Sequence, residues 1–135
     1  MPIEVELSKI IIDEKRQDQI IVLKEKNGPR QFPIVIGFLE ASSIKMKLSG
    51  IEVQRPLTHD LLAATIKQLD AHLDRLVIDK LVDNTFHAKL IIRAADGKAR
   101  TIDSRPSDGI ALAVRAGAPI FVEEEVLNKT TITKS

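Results

Sequence analysis

The sequence predicts an α+β fold: a single domain with a largely antiparallel or mixed β-sheet and about three helices. Three observations support this prediction. Apolar and polar residues alternate near the start of the chain, as in a half-buried strand. Asn-Gly and Asp-Gly pairs, which are typical of hairpin turns, separate several apolar runs. Stretches with the apolar spacing of a helix end at glycine residues. The length of 135 residues suits one domain. No Pro/Gly/Ser-rich linker and no internal repeat divides the chain.

The first third of the chain has the pattern of an antiparallel meander. Residues 3–8 alternate between apolar and polar side chains, as in a half-buried strand. A polar turn is predicted over residues 13–18, followed by an apolar strand at 20–23. Asn27-Gly28 suits the positive φ of a hairpin turn, and residues 32–36 supply the return strand.

Two helices are predicted next. The first covers residues 38–48 and stops at Ser49-Gly50. The second has Thr58 as its N-cap and Asp60 in its first turn, where a carboxylate complements the helix dipole. Its apolar positions recur at i, i+4 and i+8, the spacing of an amphipathic helix, and these positions are Leu61, Leu62, Thr65, Ile66, Leu69 and Leu73.

The second half predicts further strands and one helix. Strands at 76–82, 86–93 and 99–102 are separated by turns at 83–84 and 96–97. Pro106 suits the first position of a helix that ends at Gly117, and a short strand follows at 120–122. The predicted domain covers residues 1–127, with a polar C-terminal tail at 128–135.

Composition excludes several kinds of function. The chain has no cysteine, so disulfides, thiolate nucleophiles and cysteine-ligated zinc are excluded. Without a signal peptide or an apolar run long enough to cross a bilayer, we expect a cytoplasmic protein with no membrane partner. The net charge of +1 does not by itself predict a nucleic-acid partner. P-loop, dinucleotide-binding, zinc-protease and serine-esterase motifs are absent from the sequence.

Three stretches of the chain carry a family resemblance. They are FPIVIGFLEA at residues 32–41, RPLTHDL at 55–61 and DSRPSDGIALA at 103–113. Their order and spacing resemble the bifunctional nuclease domain family, over residues 3 to 127. The resemblance implies an α+β fold, a homo-oligomer (dimer or trimer), and nuclease activity on DNA and RNA with little sequence preference. At Gly109 the family usually has alanine.

The polar residues of these stretches suit phosphodiester hydrolysis. Histidine can carry a proton, carboxylates can hold Mg²⁺ or Mn²⁺, and arginine can clamp phosphate. Each candidate lies at a helix start or a strand end. The catalytic candidates are His59, Asp60, Asp103 and Asp108; the phosphate-binding candidates are Arg55, Arg105 and Ser107; and the candidate ligands of a divalent metal are Asp103, Asp108 and Glu40.

Each candidate also has a structural alternative. Asp60 and Asp108 fall in first helical turns, where they stabilise the helix without catalysis. Arg55 and Arg105 could form ion pairs at helix entrances, and His59 could be a hydrogen-bonded structural residue. The residues therefore leave open a second hypothesis, a non-catalytic homo-oligomeric interaction module that binds an anionic ligand or a partner protein.

Overall fold

The computed structural model describes residues 2–12, 15 and 18–130, and these residues form seven strands and four helices. The predicted α+β fold with a mixed sheet is confirmed, with one helix more than expected. The strands are β1 Pro2–Ile11, β2 Asp18–Glu25, β3 Gln31–Gly37, β4 His72–Val82, β5 Thr85–Arg93, β6 Ala99–Ser104 and β7 Ile120–Glu123. The helices are α1 Phe38–Leu48, α2 Thr58–Gln68, α3 Pro106–Ala116 and α4 Glu124–Thr130.

All seven strands belong to one sheet in the order β3-β2-β1-β7-β4-β5-β6. The predicted meander β1–β2–β3 forms one half, and β4–β5–β6 forms a second antiparallel half. The short strand β7 joins them, since it pairs antiparallel with β1 and parallel with β4. In the parallel pairing Leu76 lies opposite Ile120, and in the antiparallel pairing Val5 lies opposite the same residue.

The sheet curves around a core of aliphatic side chains. The rings of Phe32 in the edge strand β3 and Phe86 in β5, the strand next to the opposite edge, are 5.8 Å apart between centroids, so the two halves of the sheet approach each other across the core. Helix α1 packs on β2 and β3, and α3 packs on β4 and β5. Both α1 and α2 contact α3, which therefore lies at the centre of the helical layer.

Helix α3 carries part of the core and part of the third motif stretch. Pro106 is its first residue, and it ends at Gly117 with φ of 68°, both as predicted. Seven of its eleven residues are buried. Because a buried helix is held on several sides, the polar side chains of its first turn have a well-defined position.

The end of α2 differs from the prediction. The helix stops at Gln68, and the chain reverses through Asp70, which has a positive φ of 58°. Leu73 therefore belongs to β4, where it is buried and paired with Ile92, and its predicted place in the helical stripe is wrong. The main leucines of the predicted stripe, Leu61 and Leu69, lie on the surface, 60% and 69% exposed.

Helix α4 was not predicted from the sequence. It buries Val126 and Leu127, and the Thr130 hydroxyl donates to the carbonyl of Val126 at 3.1 Å. The predicted polar tail at 128–135 thus begins inside a helix, and residues 131–135 lie outside the described part of the chain. Most of the predicted turn at 13–18 also lies outside it. Within the described ranges, every helix is too short or too polar to cross a bilayer.

Candidate active site

Residues from three helices meet at one surface pocket. Glu40 and Ser43 come from α1, His59 from the first turn of α2, and Asp108 from the first turn of α3. The pocket has a volume of about 380 Å³ and a wall made largely of apolar side chains, among them Leu39, Met46 and Leu57. The packing of α1 and α2 on α3 brings the second and third motif stretches together.

His59 is the buried centre of this site. It is the one buried residue of α2, only 9% exposed, and both of its ring nitrogens have partners. Nδ1 lies 2.7 Å from Oγ of Ser43, and Nε2 lies 2.9 Å from Oδ1 of Asp108. Because the partners come from α1 and α3, the imidazole links all three helices.

The partners decide which nitrogen of the neutral ring holds the proton. An ionised Asp108 only accepts, so Nε2–H donates to Oδ1, and Nδ1 then accepts from the Ser43 hydroxyl. A hydroxyl can rotate and either donate or accept. If His59 gains a second proton, Ser43 can accept from Nδ1–H without moving. The site can therefore hold the imidazole in either charge state.

Asp108 is shared between His59 and an arginine. Its Oδ2 accepts from Nε of Arg105 at 2.9 Å, and Nη2 of Arg105 reaches Oε1 of Glu40 at 3.4 Å. Partial burial raises the pKa of Asp108, but the hydrogen bonds from His59 and Arg105 outweigh that effect and hold the pKa below its ordinary value. Asp108 is therefore ionised at neutral pH.

Asp60 forms a separate pair beside the pocket. Its Oδ1 accepts from Nε of Arg115 at 2.7 Å, and its Oδ2 accepts from the backbone N–H of Leu57 at 3.0 Å. These two bonds, that of Arg115 first, lower the pKa of Asp60. The residue that caps α2 is Leu57, and Thr58, the predicted cap, is the first helical residue. Asp60 thus fixes the start of α2 to α3.

Comparison with known proteins identifies the family of this chain. The family model described as "Bifunctional nuclease domain" matches residues 21–135. This chain belongs to the bifunctional nuclease domain family. Two uncharacterised proteins of Mycobacterium tuberculosis, from strains CDC 1551 and H37Rv, are each 40% identical over 124 residues, which is 92% of this chain and 73% of theirs. A rice protein (Oryza sativa subsp. japonica) named Bifunctional nuclease 2 is 24% identical, over 85% of this chain and 36% of its own.

Asp103 of this bifunctional nuclease domain lies apart from the His59 network. It is in the edge strand β6, 77% exposed at its side chain, and it accepts from Nζ of Lys89 at 3.0 Å. The hydrogen bond from Lys89 lowers the pKa of Asp103. Lys89 also lies 3.7 Å from Asp79 of β4, so Asp103 belongs to a charged row across three neighbouring strands.

The predicted metal ligands are not assembled by the described residues. No group of three or more His, Asp or Glu side chains is arranged there to hold a metal ion. The physical reason is visible at the pocket, where the Arg105 guanidinium lies between Glu40 and Asp108 and balances both carboxylates. Asp103, the third predicted ligand, is held by Lys89. The donor set therefore does not fit Mg²⁺ or Mn²⁺.

The predicted phosphate-binding residues have different positions. Arg105 lies at the mouth of the pocket with two-thirds of its side chain exposed. Ser107 is buried and borders a neighbouring groove together with Arg105. Arg55 is exposed in the connector before α2 and does not line the pocket. Of the three, Arg105 is the best placed to meet an anion beside His59.

Two residues of the site were missed from the sequence, Ser43 and Arg115. Both are polar residues on helix faces that are otherwise apolar: Ser43 is buried beside Ile44, and the Arg115 side chain is only 6% exposed. Arg115 also donates to the carbonyls of Ala111 and Ser43. The signal available in the sequence was a polar residue within an apolar helical face. It could not identify the hydrogen-bond partners of Ser43 and Arg115, because those partners are distant in sequence.

Proposed function

We propose that this chain is a cytoplasmic nuclease that hydrolyses phosphodiester bonds in DNA and RNA with little sequence preference. The observation that carries the proposal is the contact of His59 with Asp108 beside an exposed arginine, in a pocket open to solvent. A proton carrier next to a phosphate-binding group is what hydrolysis of a phosphodiester needs. Family membership and the name of the rice relative support the same activity.

His59 would be the proton carrier. Both ring nitrogens are hydrogen-bonded, so the proton would be exchanged with the substrate at Nε2, whose bond to Asp108 is only partly buried, while Ser43 partners Nδ1 in both charge states. Asp108 would orient the ring and stabilise the charged imidazolium, since a lowered pKa keeps Asp108 ionised. This division of roles makes Asp108 a poor proton acceptor itself and a good electrostatic partner for His59.

Arg105 would bind the phosphate. Two of the donors in its guanidinium group contact Asp108 and Glu40, and a guanidinium has five N–H donors in all. The remaining donors can therefore contact phosphate oxygens while Asp108 keeps the group in place. No step of the proposal passes through a metal, because the described carboxylates are engaged by Arg105 and Lys89.

The test is degradation of supercoiled plasmid and single-stranded RNA by highly purified protein, with and without EDTA. We expect activity that copurifies with the protein and is lost in His59→Ala. His72→Ala is the matched control, because His72 is exposed on β4 and lies outside the pocket. Activity that separates from the protein, or survives in a folded His59→Ala variant, contradicts the proposal. Loss of nuclease activity in EDTA would support the role of Mg²⁺ or Mn²⁺ predicted from the sequence.

A second candidate function is a non-catalytic homo-oligomeric module that binds an anionic ligand or a partner protein. The observation that favours it is the mutual pairing of the motif side chains: His59 with Ser43 and Asp108, Asp60 with Arg115, and Arg105 with two carboxylates. Glu40 and Asp108 together also outweigh the positive charge of Arg105, so the pocket does not attract a polyanionic substrate strongly. Reproducible absence of activity from folded, pure protein would support this alternative.

A further inference from the structure

A second hollow lies beside the pocket, at the first turn of α3. It is a groove of about 410 Å³ between this turn, the edge strand β3, and the turn that joins β4 to β5. Arg105 lines both the groove and the pocket that holds His59, so the two hollows are neighbours on the surface. We call the second hollow the β3 groove.

Ser107 brings an unused hydroxyl to the β3 groove. The residue is only 6% exposed, and its hydroxyl makes no hydrogen bond within the described part of the chain. Among the described residues, Oδ1 of Asp79 is the one fully buried side-chain oxygen or nitrogen without a partner, so the Ser107 hydroxyl keeps some contact with solvent. Because the residue lines the groove, that contact is with the groove. Buried hydroxyls normally have a partner, and an unpaired one beside a hollow indicates a position for a ligand atom.

The backbone adds a second donor at the same residue. Ser107 is the second residue of α3, and the first intrahelical bond runs from the N–H of Gly109 to the carbonyl of Arg105 at 3.1 Å. The N–H of Ser107 therefore precedes the hydrogen-bonded part of the helix. Ser107 thus presents an N–H and an O–H together, at the helix end whose dipole favours a negative charge.

The charge of the β3 groove differs from that of the pocket. Arg105 is the one ionisable residue in the wall of the groove, whereas Glu40 and Asp108 line the pocket. The Arg105 guanidinium pairs with both carboxylates, and two-thirds of its side chain stays exposed. An anion in the groove would therefore meet a positive side chain and a helix start without a carboxylate in the wall around it.

The donors of the groove suit a phosphate group. Phosphate oxygens accept hydrogen bonds, and both a guanidinium and a helix start are frequent phosphate ligands in proteins. The rest of the wall is largely apolar and includes Pro33, Val35 and Phe86. A volume of about 410 Å³ lies in the range of small-molecule sites, so the groove has room for a phosphate together with the sugar attached to it.

We propose that Ser107 and Arg105 form a second phosphate site, in which the β3 groove holds the phosphate next to the one cleaved beside His59. Two neighbouring phosphates of one strand would then lie on either side of the Arg105 guanidinium. The substrate class that follows is a strand with at least two phosphates. The identification of the ligand as a nucleic-acid strand rests on the proposed nuclease function, whereas the binding of an anion rests on Ser107 and Arg105 alone.

The first experiment measures phosphate binding without reference to activity. Inorganic phosphate is titrated into the full chain while the backbone amide of residue 107 is followed by NMR. The variant is Ser107→Ala, and Ser49→Ala is the matched control, because Ser49 is an exposed serine at the end of α1 and lies outside both hollows. We expect the amide to shift in the wild type and the control, and the dissociation constant to rise about tenfold in Ser107→Ala, which loses one donor to a charged group. Circular dichroism establishes that both variants are folded.

The second experiment separates a strand from free phosphate as the natural ligand. A thymidine dinucleotide with one internal phosphate is compared with the same dinucleotide carrying an additional 5′-phosphate or 3′-phosphate. We expect kcat/KM to be about tenfold higher for one of the two phosphorylated forms. In Ser107→Ala this advantage should disappear, while cleavage of the unphosphorylated dinucleotide stays nearly unchanged.

The two experiments have distinct failures. An amide that does not shift, or a folded Ser107→Ala variant that binds phosphate like Ser49→Ala, overturns the second phosphate site. Equal cleavage of the three dinucleotides, or an advantage that persists in Ser107→Ala, overturns the placement of the neighbouring phosphate in the groove. Phosphate binding at residue 107 without cleavage of any dinucleotide contradicts the nuclease alone and supports the anion site.

Discussion

Oγ of Ser43 lies 2.7 Å from Nδ1 of His59, inside the layer formed by α1, α2 and α3. His59 is also hydrogen-bonded to Asp108, and Asp108 is hydrogen-bonded to Arg105 at the surface. One chain of hydrogen bonds thus runs from the buried side of α1 to solvent. The same side chains therefore join the packing of the three helices to the candidate site.

Removing the hydroxyl of Ser43 should destabilise the fold. Ser43→Ala leaves Nδ1 of His59 buried without a partner, which costs about 1–3 kcal/mol in the free energy of unfolding. Urea unfolding measures this difference. The control is Ser42→Ala, one residue earlier on α1, where we expect a change within about 0.5 kcal/mol. Equal stability of the two variants would mean that the Ser43–His59 bond contributes nothing.

Asp108 and Asp103 should differ in their importance for activity. Asp108 contacts His59, whereas Asp103 contacts Lys89 on the sheet. We expect Asp108→Asn to lower the rate of RNA cleavage by about 10²- to 10⁴-fold and Asp103→Asn to leave it nearly unchanged. Initial rates on one labelled RNA check both variants. A large loss of RNA cleavage in Asp103→Asn would show that Asp103 is one of the catalytic residues.

The pair of Asp60 and Arg115 predicts a pH-dependent contribution to stability. The folded state lowers the pKa of Asp60, so the pair stabilises the fold above the unfolded pKa of about 3.9 and loses its effect as the pH falls through the folded pKa. At neutral pH, Asp60→Asn should cost about 1–3 kcal/mol in the free energy of unfolding, since Arg115 is buried.

The difference between wild type and Asp60→Asn should therefore shrink on acidification. At low pH the wild type also has an uncharged residue 60, and Arg115 is equally unpaired in both proteins. Urea unfolding from pH 6 down to about pH 2 measures the two curves, since the loss begins near the unfolded pKa of about 3.9 and continues through the lower folded pKa. Asp103→Asn serves as the exposed comparison and should change stability little. A constant gap across this range would show that Asp60 keeps an ordinary pKa.

Gly109 and Leu76 should be energetically coupled. A Cβ at Gly109 would lie 2.5 Å from Cδ1 of Leu76, which is fully buried in β4. Gly109→Ala should therefore be destabilising by about 1–3 kcal/mol from overpacking, partly offset by about 1 kcal/mol of helix propensity. The fully buried Leu76 therefore leaves room for glycine but not for a larger residue at position 109.

The coupling can be measured in a double-mutant cycle. Leu76→Val removes the methyl group that would clash, so the double variant should be more stable than the sum of the two single changes by at least about 0.5 kcal/mol. Unfolding free energies of the four proteins give this value. Strict additivity would show that Leu76 moves aside at no cost.

Local signals in the sequence were sufficient for most elements. The hairpin between β2 and β3 and the start and end of α3 at Pro106 and Gly117 were predicted because each depends on a few adjacent residues. The positive φ expected at Asn27-Gly28 was wrong, since neither residue has it and the hairpin turns without it. The insertion of β7 between β1 and β4 was not, since pairing of Ile120 with both Val5 and Leu76 depends on distant segments. Periodicity likewise predicted the stripe on α2 but not which surface it would cover.

The candidate site was predicted only in part, again because some of its contacts join segments that are distant in sequence. The motif stretches pointed to His59, Asp108 and Arg105, and the structure brings these three together. Asp103 is only five residues from Asp108, yet the end of β6 and the turn into α3 direct the two side chains to different partners. Ser43 and Arg115 could not be assigned from the sequence, because their partners lie 16 and 55 residues away.

The position of β7 has a consequence for how the protein folds during synthesis. The strand that joins the two halves of the sheet begins only at residue 120, so neither half can close onto the other until that segment has left the ribosome. Until then β1 and β4 each have an unpaired edge. Closure therefore depends on contacts between segments far apart in sequence, a topology associated with slow folding and with exposure to aggregation before the final strand is in place.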